Sequence, residues 1–407
     1  MPLETGVLVV GGGATGSSVA RDLALRGVDV TLVDRGPFAD GTSGRSHGLL
    51  HSGARYAESD PEGAAECLVE SETLRDVAGE CVRDTGGLFV QLADDDAGYF
   101  DEKRAACEAV GIPVEAVDAG DARERVPDLS DDVERAMRVP DAVVYPSRLV
   151  AATAADARDH GARLHTHAPV DAVHTDGGRV TGVDIGGAVD DRIEAEYVVN
   201  ATGAWAETLG DMAGVDVPMR PTRGVMVSVD YDRVGPVLNR CRAPDDGDIV
   251  VPHESEVILG TTSVPVADPD DYETGDWEVE RSREECGAML PPVADADVVR
   301  TWWGVRPLFA PDEAERGGRG ISRGFFLLDH ADEAAANMAS IVGGKLTTAR
   351  LMAEAAADHV CERLGVDADC ETAGRRLPGA DDPDRLDALV EEFGGSGPTD
   401  ADVVGEG

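Results

Sequence analysis

Residues 6 to 34, GVLVVGGGATGSSVARDLALRGVDVTLVD, constrain the fold more than any other stretch. A short apolar run reads as a buried strand. The next segment has helical spacing, with Val19, Leu23 and Leu25 apolar, and Gly27 ends it. VDVTLVD is a second strand. At the first strand–helix junction Gly11, Gly13 and Gly16 stand in G-x-G-x-x-G spacing. Gly11 permits a tight turn, Gly13 lets a pyrophosphate approach the backbone, and Gly16 lets helix and strand pack closely. Asp34 ends the second strand, where it can accept from ribose hydroxyls. Ala14, Thr15 and Arg35 belong to the same expected cofactor set. A glycine triplet also fits a plain structural turn; here strand, helix and acid all occur in the required order.

The rest of the chain follows an α/β plan, α+β overall: a Rossmann-like dinucleotide-binding domain with an inserted β-rich substrate domain. Residues 1–84, 146–217 and 304–366 are the expected cofactor-domain segments. Residues 85–145 form a substrate or cap lobe, and 218–303 the β-rich part, with TRGVMVSVD, GDIVVPH and EVILGTT as strands. Residues 367–407 read as a linker and the start of a truncated C-terminal domain. The helix expected at DPDRLDALVEEFG has nothing obvious to pack on.

Three features favour FAD over NAD. No second dinucleotide fingerprint occurs. VVNATGAW carries Ala201, Thr202 and Gly203 at the end of a late strand. VGGKLTTAR places Gly343, Gly344, Lys345, Leu346 and Thr347 at a glycine turn opening a long helix, a second anion-friendly N-terminus.

Composition narrows the setting. The chain carries 80 acidic and 36 basic residues, a net charge of −44. That charge repels nucleic acid and anionic membranes. Two lysines, Lys103 and Lys345, stand among the 36 basic residues. Lysine loss with acid gain predicts a halophilic protein, since at about 1 M salt the Debye length is ~3 Å and crowded carboxylates hardly repel. The seven cysteines are scattered with no C-x-x-C pair, which suits reduced cytosolic thiols and argues against a metal or iron–sulfur site in this chain. No apolar run approaches the ~20 residues of a membrane span and no signal peptide is read, so the expected place is the cytoplasm.

GTSGRSHGLLHSGARY, PEGAAECLVES, LNRCRAPDDGDIVVP, ILGTTS, GVRPL, SRGFFLLDH and GGKLTTARLMAE together resemble the A subunit of anaerobic glycerol-3-phosphate dehydrogenase, over nearly the whole chain to about residue 379. The resemblance implies a flavin domain of the glutathione-reductase/D-amino-acid-oxidase type. It also implies oxidation of sn-glycerol 3-phosphate to dihydroxyacetone phosphate. Electrons would pass through membrane-anchored or iron–sulfur partner subunits to a quinone, with attachment at the cytoplasmic face of the membrane. The family's further cysteine-bearing C-terminal domain is not in this sequence, so either the chain is truncated or the electron exit is built differently.

A phosphate dianion needs fixed cations, and the planar arginine fork suits phosphate oxygens. Arg55, Arg306 and Arg323 are the candidates, although each alone could be a surface ion pair. Tyr56 donates to phosphate or is a core tyrosine, and Thr347 meets the ligand or caps the long helix. Lys345 supplies a compact charge for a developing alkoxide or the reduced flavin. His51 is the expected base, with His47 as rival or beside the flavin ring, and Arg306 joins His51 and Lys345 in the expected catalytic set. Thr42, Ser43, Arg45, Ser46, Gly48 and Leu50 are expected along the pyrophosphate and flavin ring. The alternatives in function are a related amine or 2-hydroxy-acid oxidase, or a flavin-bearing scaffold without catalysis.

Overall fold

The computed structural model describes residues 2–310 and 324–404. Its first element pair follows from the apolar run at the N-terminus. Strand β1 (Leu3–Val10) pairs in parallel with β2 (Val30–Val33) on one side and with Asp191–Asn200 on the other. Val7, Leu8 and Val9 are fully buried, as expected of a parallel strand covered on both faces, where an unbroken run of valine and leucine replaces alternation. Helix α1 (Ala14–Leu25) connects β1 to β2 and packs against the helices Pro146–Asp159 and Ala349–Leu364. Small residues allow this close approach: Ala151, Ala152, Ala154, Ala155 and Ala157 of the middle helix are all buried. Arg21 and Asp156 form a buried ion pair across it at 2.7 Å.

Among the described residues eight strands make this first sheet. The hairpin of Val170–Asp176 and Arg179–Ile185 turns at Gly177-Gly178 and extends one side, while Met338–Gly343 pairs with the end of Asp191–Asn200. The carboxyl ends of β1, β2 and Asp191–Asn200 therefore open on one crevice, the place where doubly wound sheets bind ligands.

A second sheet, of nine strands among the described residues, draws on two distant stretches of chain. Gly87–Leu92 and Val133–Val139 come from the first; Thr222–Val229, Val237–Arg240, Ile249–Pro252, Val257–Gly260 and Val298–Arg306 come from the second. They join where Val237–Arg240 runs parallel to Gly87–Leu92, with Val237 opposite Gly87 and Arg240 opposite Val90. The two expected substrate segments thus share one sheet, and its last strand continues to Arg306, beyond the expected boundary at 303. Helix α2 (Pro61–Ala78), capped by the Asp60 side chain on Gly63 N, and helix α3 (Ala97–Val110) pack beside the junction.

The C-terminal segment differs from the sequence reading. Helix Pro383–Glu392 is not left without a partner; it lies on helix Pro146–Asp159. Leu386, Leu389 and Val390 are buried, Arg148 binds Asp387 bidentately at 2.6 and 2.9 Å, and the Phe393 ring meets Phe38. Beyond it Thr399 donates to the Gly44 carbonyl at 2.9 Å, and Asp400 accepts from Ser147 N at 2.8 Å. Asp381, Asp382, Asp384, Glu391 and Glu392 are exposed, and three apolar positions at helical spacing suffice against an alanine-rich face.

Candidate active site

At the end of β1 the glycines divide the work. A Cβ on Gly11 (φ +109°) would lie 2.5 Å from Ala201 O, and one on Gly16 would lie 1.8 Å from Gly11 O. These two glycines let three backbones meet. Gly13 and Gly203 are different: an added Cβ would meet only hydroxyls, Ser43 Oγ at 3.1 Å and Thr42 Oγ1 at 4.0 Å. What they leave room for is a cavity of about 990 Å³, at the upper end of ordinary ligand pockets. No side chain of α1 caps its own N-terminus; Ser43 Oγ accepts from Ala14 N at 2.9 Å from across the cavity wall. The remaining positive end of α1 faces the lining, as anion binding requires.

Asp34 closes one end. Its carboxylate accepts from Gly12 N at 2.6 Å and Gly36 N at 2.8 Å. Burial pushes its pKa up, and those two N–H groups oppose the rise. Arg35 stacks on Trp205 at 4.2 Å and holds Asp270 through two bonds of 2.7 and 2.8 Å. The loop after Val264–Pro265 thereby reaches across to the end of β2, and Asp270 is held below the usual carboxylate range by that guanidinium.

The other end is cationic. Arg306 donates to Thr261 Oγ1 at 2.6 Å and Thr262 O at 3.0 Å. Arg55 reaches Asn239 Oδ1 and Asp248 Oδ2, each at a long 3.4 Å. The Lys345 ammonium lies 4.7 Å from the centre of the Tyr56 ring, a cation–π distance. The Tyr56 hydroxyl is 3.4 Å from His51 Nε2, and His47 stands edge-on to His51 with ring centres 6.0 Å apart. Behind this layer Ser52 donates twice to Asp141 Oδ1, at 2.9 and 2.7 Å, and Asn239 donates to Asp141 Oδ2 at 3.2 Å. Burial raises the Asp141 pKa, and the Ser52 donors counter it.

Of the expected residues, Gly11, Gly13, Ala14, Thr15, Asp34, Arg35, Thr42, Ser43, Arg45, Ser46, His47, His51, Arg55, Tyr56, Ala201, Thr202, Gly203, Arg306, Gly343, Gly344, Lys345 and Leu346 line this one cavity. Gly16, Gly48, Leu50 and Thr347 stand behind it. Gly48 has φ +72° with no space for a Cβ beside Val144 O, and Leu50 is fully buried in the core. Thr347 is also fully buried; its Oγ1 accepts from His51 N at 3.1 Å, so it holds the histidine's backbone and does not face the cavity. The helix start is bound instead through Thr348 Oγ1, which accepts from Lys345 N at 3.2 Å. Arg323 lies outside the described residues. Sequence reading missed Trp205, Thr261, Thr262, Asp270, Tyr272 and Trp303, all in the lining. The first stands two residues after Gly203 of the Ala-Thr-Gly turn and was within reach of the motif; the loop around 270 is an acidic stretch with no local signal.

A glycine cradle, a helix N-terminus aimed at a long cavity and a cationic far end define a dinucleotide-dependent oxidoreductase. Residues 6–359 match the FAD dependent oxidoreductase (DAO) family. The chain is 50% identical to the A1 subunit of anaerobic glycerol-3-phosphate dehydrogenase from Haloferax volcanii, over 97% of this chain and 70% of that one. It is 41% identical to the A subunit of the Escherichia coli anaerobic glycerol-3-phosphate dehydrogenase, over 93% and 70%. The glycerol-3-phosphate dehydrogenase of Bacillus halodurans, solved with FAD, superposes with a TM-score of 0.70 at 24% identity, covering 98% of this chain and 76% of that one. The chain belongs to the FAD dependent oxidoreductase family, in its glycerol-3-phosphate dehydrogenase branch, and its cofactor is FAD. The acidic, lysine-poor composition accords with its haloarchaeal relative.

Proposed function

We propose that the chain oxidises sn-glycerol 3-phosphate to dihydroxyacetone phosphate. One observation carries this reading: in a protein of net charge −44, Arg55, Arg306 and Lys345 all line the same cavity as the glycine cradle. A bound anion there would meet charge-assisted donors from two guanidiniums and an ammonium. A phosphate dianion matches two arginine forks, whereas the single carboxylate of an amino or hydroxy acid matches one.

In this reading Arg55, Arg306 and Arg323 hold the phosphate, and Tyr56 donates to it. Oxidation removes a hydride from C2 and a proton from its hydroxyl. FAD, held along Gly11 to Thr15 and Thr42 to His47, supplies the two-electron acceptor. His51 takes the hydroxyl proton; the Tyr56 hydroxyl beside Nε2 and the Thr347 contact to its backbone fix the ring's place. Lys345 stabilises charge developing on the alcohol oxygen.

Electrons leave, we propose, through iron–sulfur or membrane-anchored partner subunits to a quinone, with the chain at the cytoplasmic face. Both relatives above are named as subunits. Among the described residues no helix is long and apolar enough to cross a membrane. Incubating the FAD-loaded protein in molar KCl with glycerol 3-phosphate and a soluble dye acceptor tests the reaction. Stoichiometric dihydroxyacetone phosphate and reduced dye are expected. Product from glycine or lactate but none from glycerol 3-phosphate contradicts the assignment.

A further inference from the structure

The chain keeps two lysines, and the fold brings both against the same segment, residues 51–58. Lys345 approaches from the cavity, over the Tyr56 ring. Lys103 approaches from behind, out of α3. It is 1% exposed. Its ammonium donates to Ala54 O and Arg55 O, both at 3.2 Å, and to a Glu58 carboxylate oxygen at 2.6 Å. The rings of Phe89 and Tyr99 flank it at 5.3 and 5.5 Å, and the Tyr99 hydroxyl donates to Glu58.

This is a fitted arrangement. An ammonium has three donors, and three acceptors meet it. A guanidinium is planar, wider and carries five donors; in a site this closed it would displace a ring or leave donors unpaired. Two of the 36 basic residues are lysine, and this closed position holds one of them, the smaller cation. Arg55 shows why the backbone hold matters. Its side-chain bonds are long, 3.4 Å each, so the placing of its guanidinium depends on the backbone that carries it. That backbone is the one Lys103 grips.

We propose that Lys103 is a positioning residue for the anion-binding end of the cavity: it anchors Ala54 and Arg55 so that Arg55 and Tyr56 face the substrate. The proposal rests on the reading that Arg55 meets a phosphate. It adds that a fully buried side chain in a helix outside the cavity sets substrate affinity.

The test uses FAD-loaded protein in molar KCl, as parent, Lys103→Met, Lys103→Arg and the milder Glu58→Gln. Amide exchange is followed by mass spectrometry in peptides covering 51–58, with β1 and helix Ala349–Leu364 as references. Anaerobic flavin bleaching is followed with glycerol 3-phosphate and with glycerol. In Lys103→Met, exchange over 51–58 is expected to rise about tenfold or more while the references hold. The half-saturating glycerol 3-phosphate concentration is expected to rise about tenfold, with the limiting rate within about threefold and glycerol bleaching unchanged. Lys103→Arg moves the same way, and Glu58→Gln does so by less. Unchanged exchange over 51–58, faster exchange throughout the molecule, or equal losses for both substrates overturns the proposal. If the parent is bleached equally by both substrates, the phosphate reading fails on its own. The exchange result still decides what Lys103 holds.

Discussion

The two ends of the cavity are built by different means. The end at the glycine fingerprint is made of backbone: glycines that let strands and a helix meet, N–H groups on a helix N-terminus, and one carboxylate fixed by Gly12 N and Gly36 N. The cationic end is made of side chains from segments far apart in sequence. Arg55 stands on the loop after Leu49–Leu50, Arg306 ends a strand of the second sheet, and Lys345 opens the long helix. Backbone geometry is fixed by the fold itself and costs little further ordering. A side-chain cluster must be held by a supporting layer, here Asp141, Asn239, Asp248, Thr261 and Thr347. Substitutions should therefore separate the two ends cleanly.

The largest expected effect is at the fingerprint end. Gly13→Val puts a branched side chain into the space beside Ser43, so the variant should fold yet purify colourless. Circular dichroism in molar salt and the absence of flavin absorbance check this. A yellow variant with full flavin content would show that Gly13 is not at the pyrophosphate.

Next in size is the cationic end. Arg306→Ala removes a charge-assisted donor worth ~1.5–3 kcal/mol, or roughly 10- to 100-fold in kcat/KM for glycerol 3-phosphate. Flavin content should stay that of the parent. Loss of FAD together with activity would mean the two ends are not separable.

Lys345→Arg tests geometry at constant charge. FAD should remain, and flavin reduction should slow by about tenfold, because a planar fork cannot replace a compact ammonium beside the Tyr56 ring. An unchanged reduction rate in stopped flow would return Lys345 to an ordinary loop residue.

The smallest effect concerns the C-terminal segment, which packs behind Gly44 and Ser46. Burial raises Asp400 from 3.8 to about 6. Because the folded value lies above the unfolded one, the native state holds the extra proton between these values, and stability falls as pH rises through that window. Above about pH 6 the effect is complete. Proteolytic protection of residues 396–404 should therefore decline from pH 4 to pH 6 and then level off. Asp400→Asn should flatten that slope, and an equal slope in the variant would assign it to other groups.

The contrast also explains what could be read from the sequence. The glycine fingerprint, the Ala-Thr-Gly strand end and GGKLTT were legible because backbone sites leave local spacing rules: a turn needs glycine, and a helix must follow. Arg55 and Arg306 were legible as candidates through resemblance, but nothing local distinguishes them from surface arginines in an acidic chain. Thr347 was placed in the site, yet it stands behind it, since a threonine two residues after Lys345 cannot be told apart as lining or support without the packed loop. The union of two strand segments through Val237–Arg240 and Gly87–Leu92 depends on long-range pairing that no window of sequence contains. Helix Pro383–Glu392 was missed because its partner face is alanine on a distant helix. The hold of Lys103 on Ala54 and Arg55 was invisible for the same reason.

The most direct measurement is anaerobic stopped-flow bleaching of the bound flavin in molar KCl, comparing sn-glycerol 3-phosphate with glycerol. The two alcohols differ by the phosphate that the proposed reading assigns to the Arg55, Arg306 and Lys345 end. Glycerol brings no anion to that end, so the ratio of their apparent second-order rate constants should exceed about 10³ in favour of the phosphate ester. Equal bleaching by both would contradict the account and remove the phosphate from the Arg55, Arg306 and Lys345 end of the cavity.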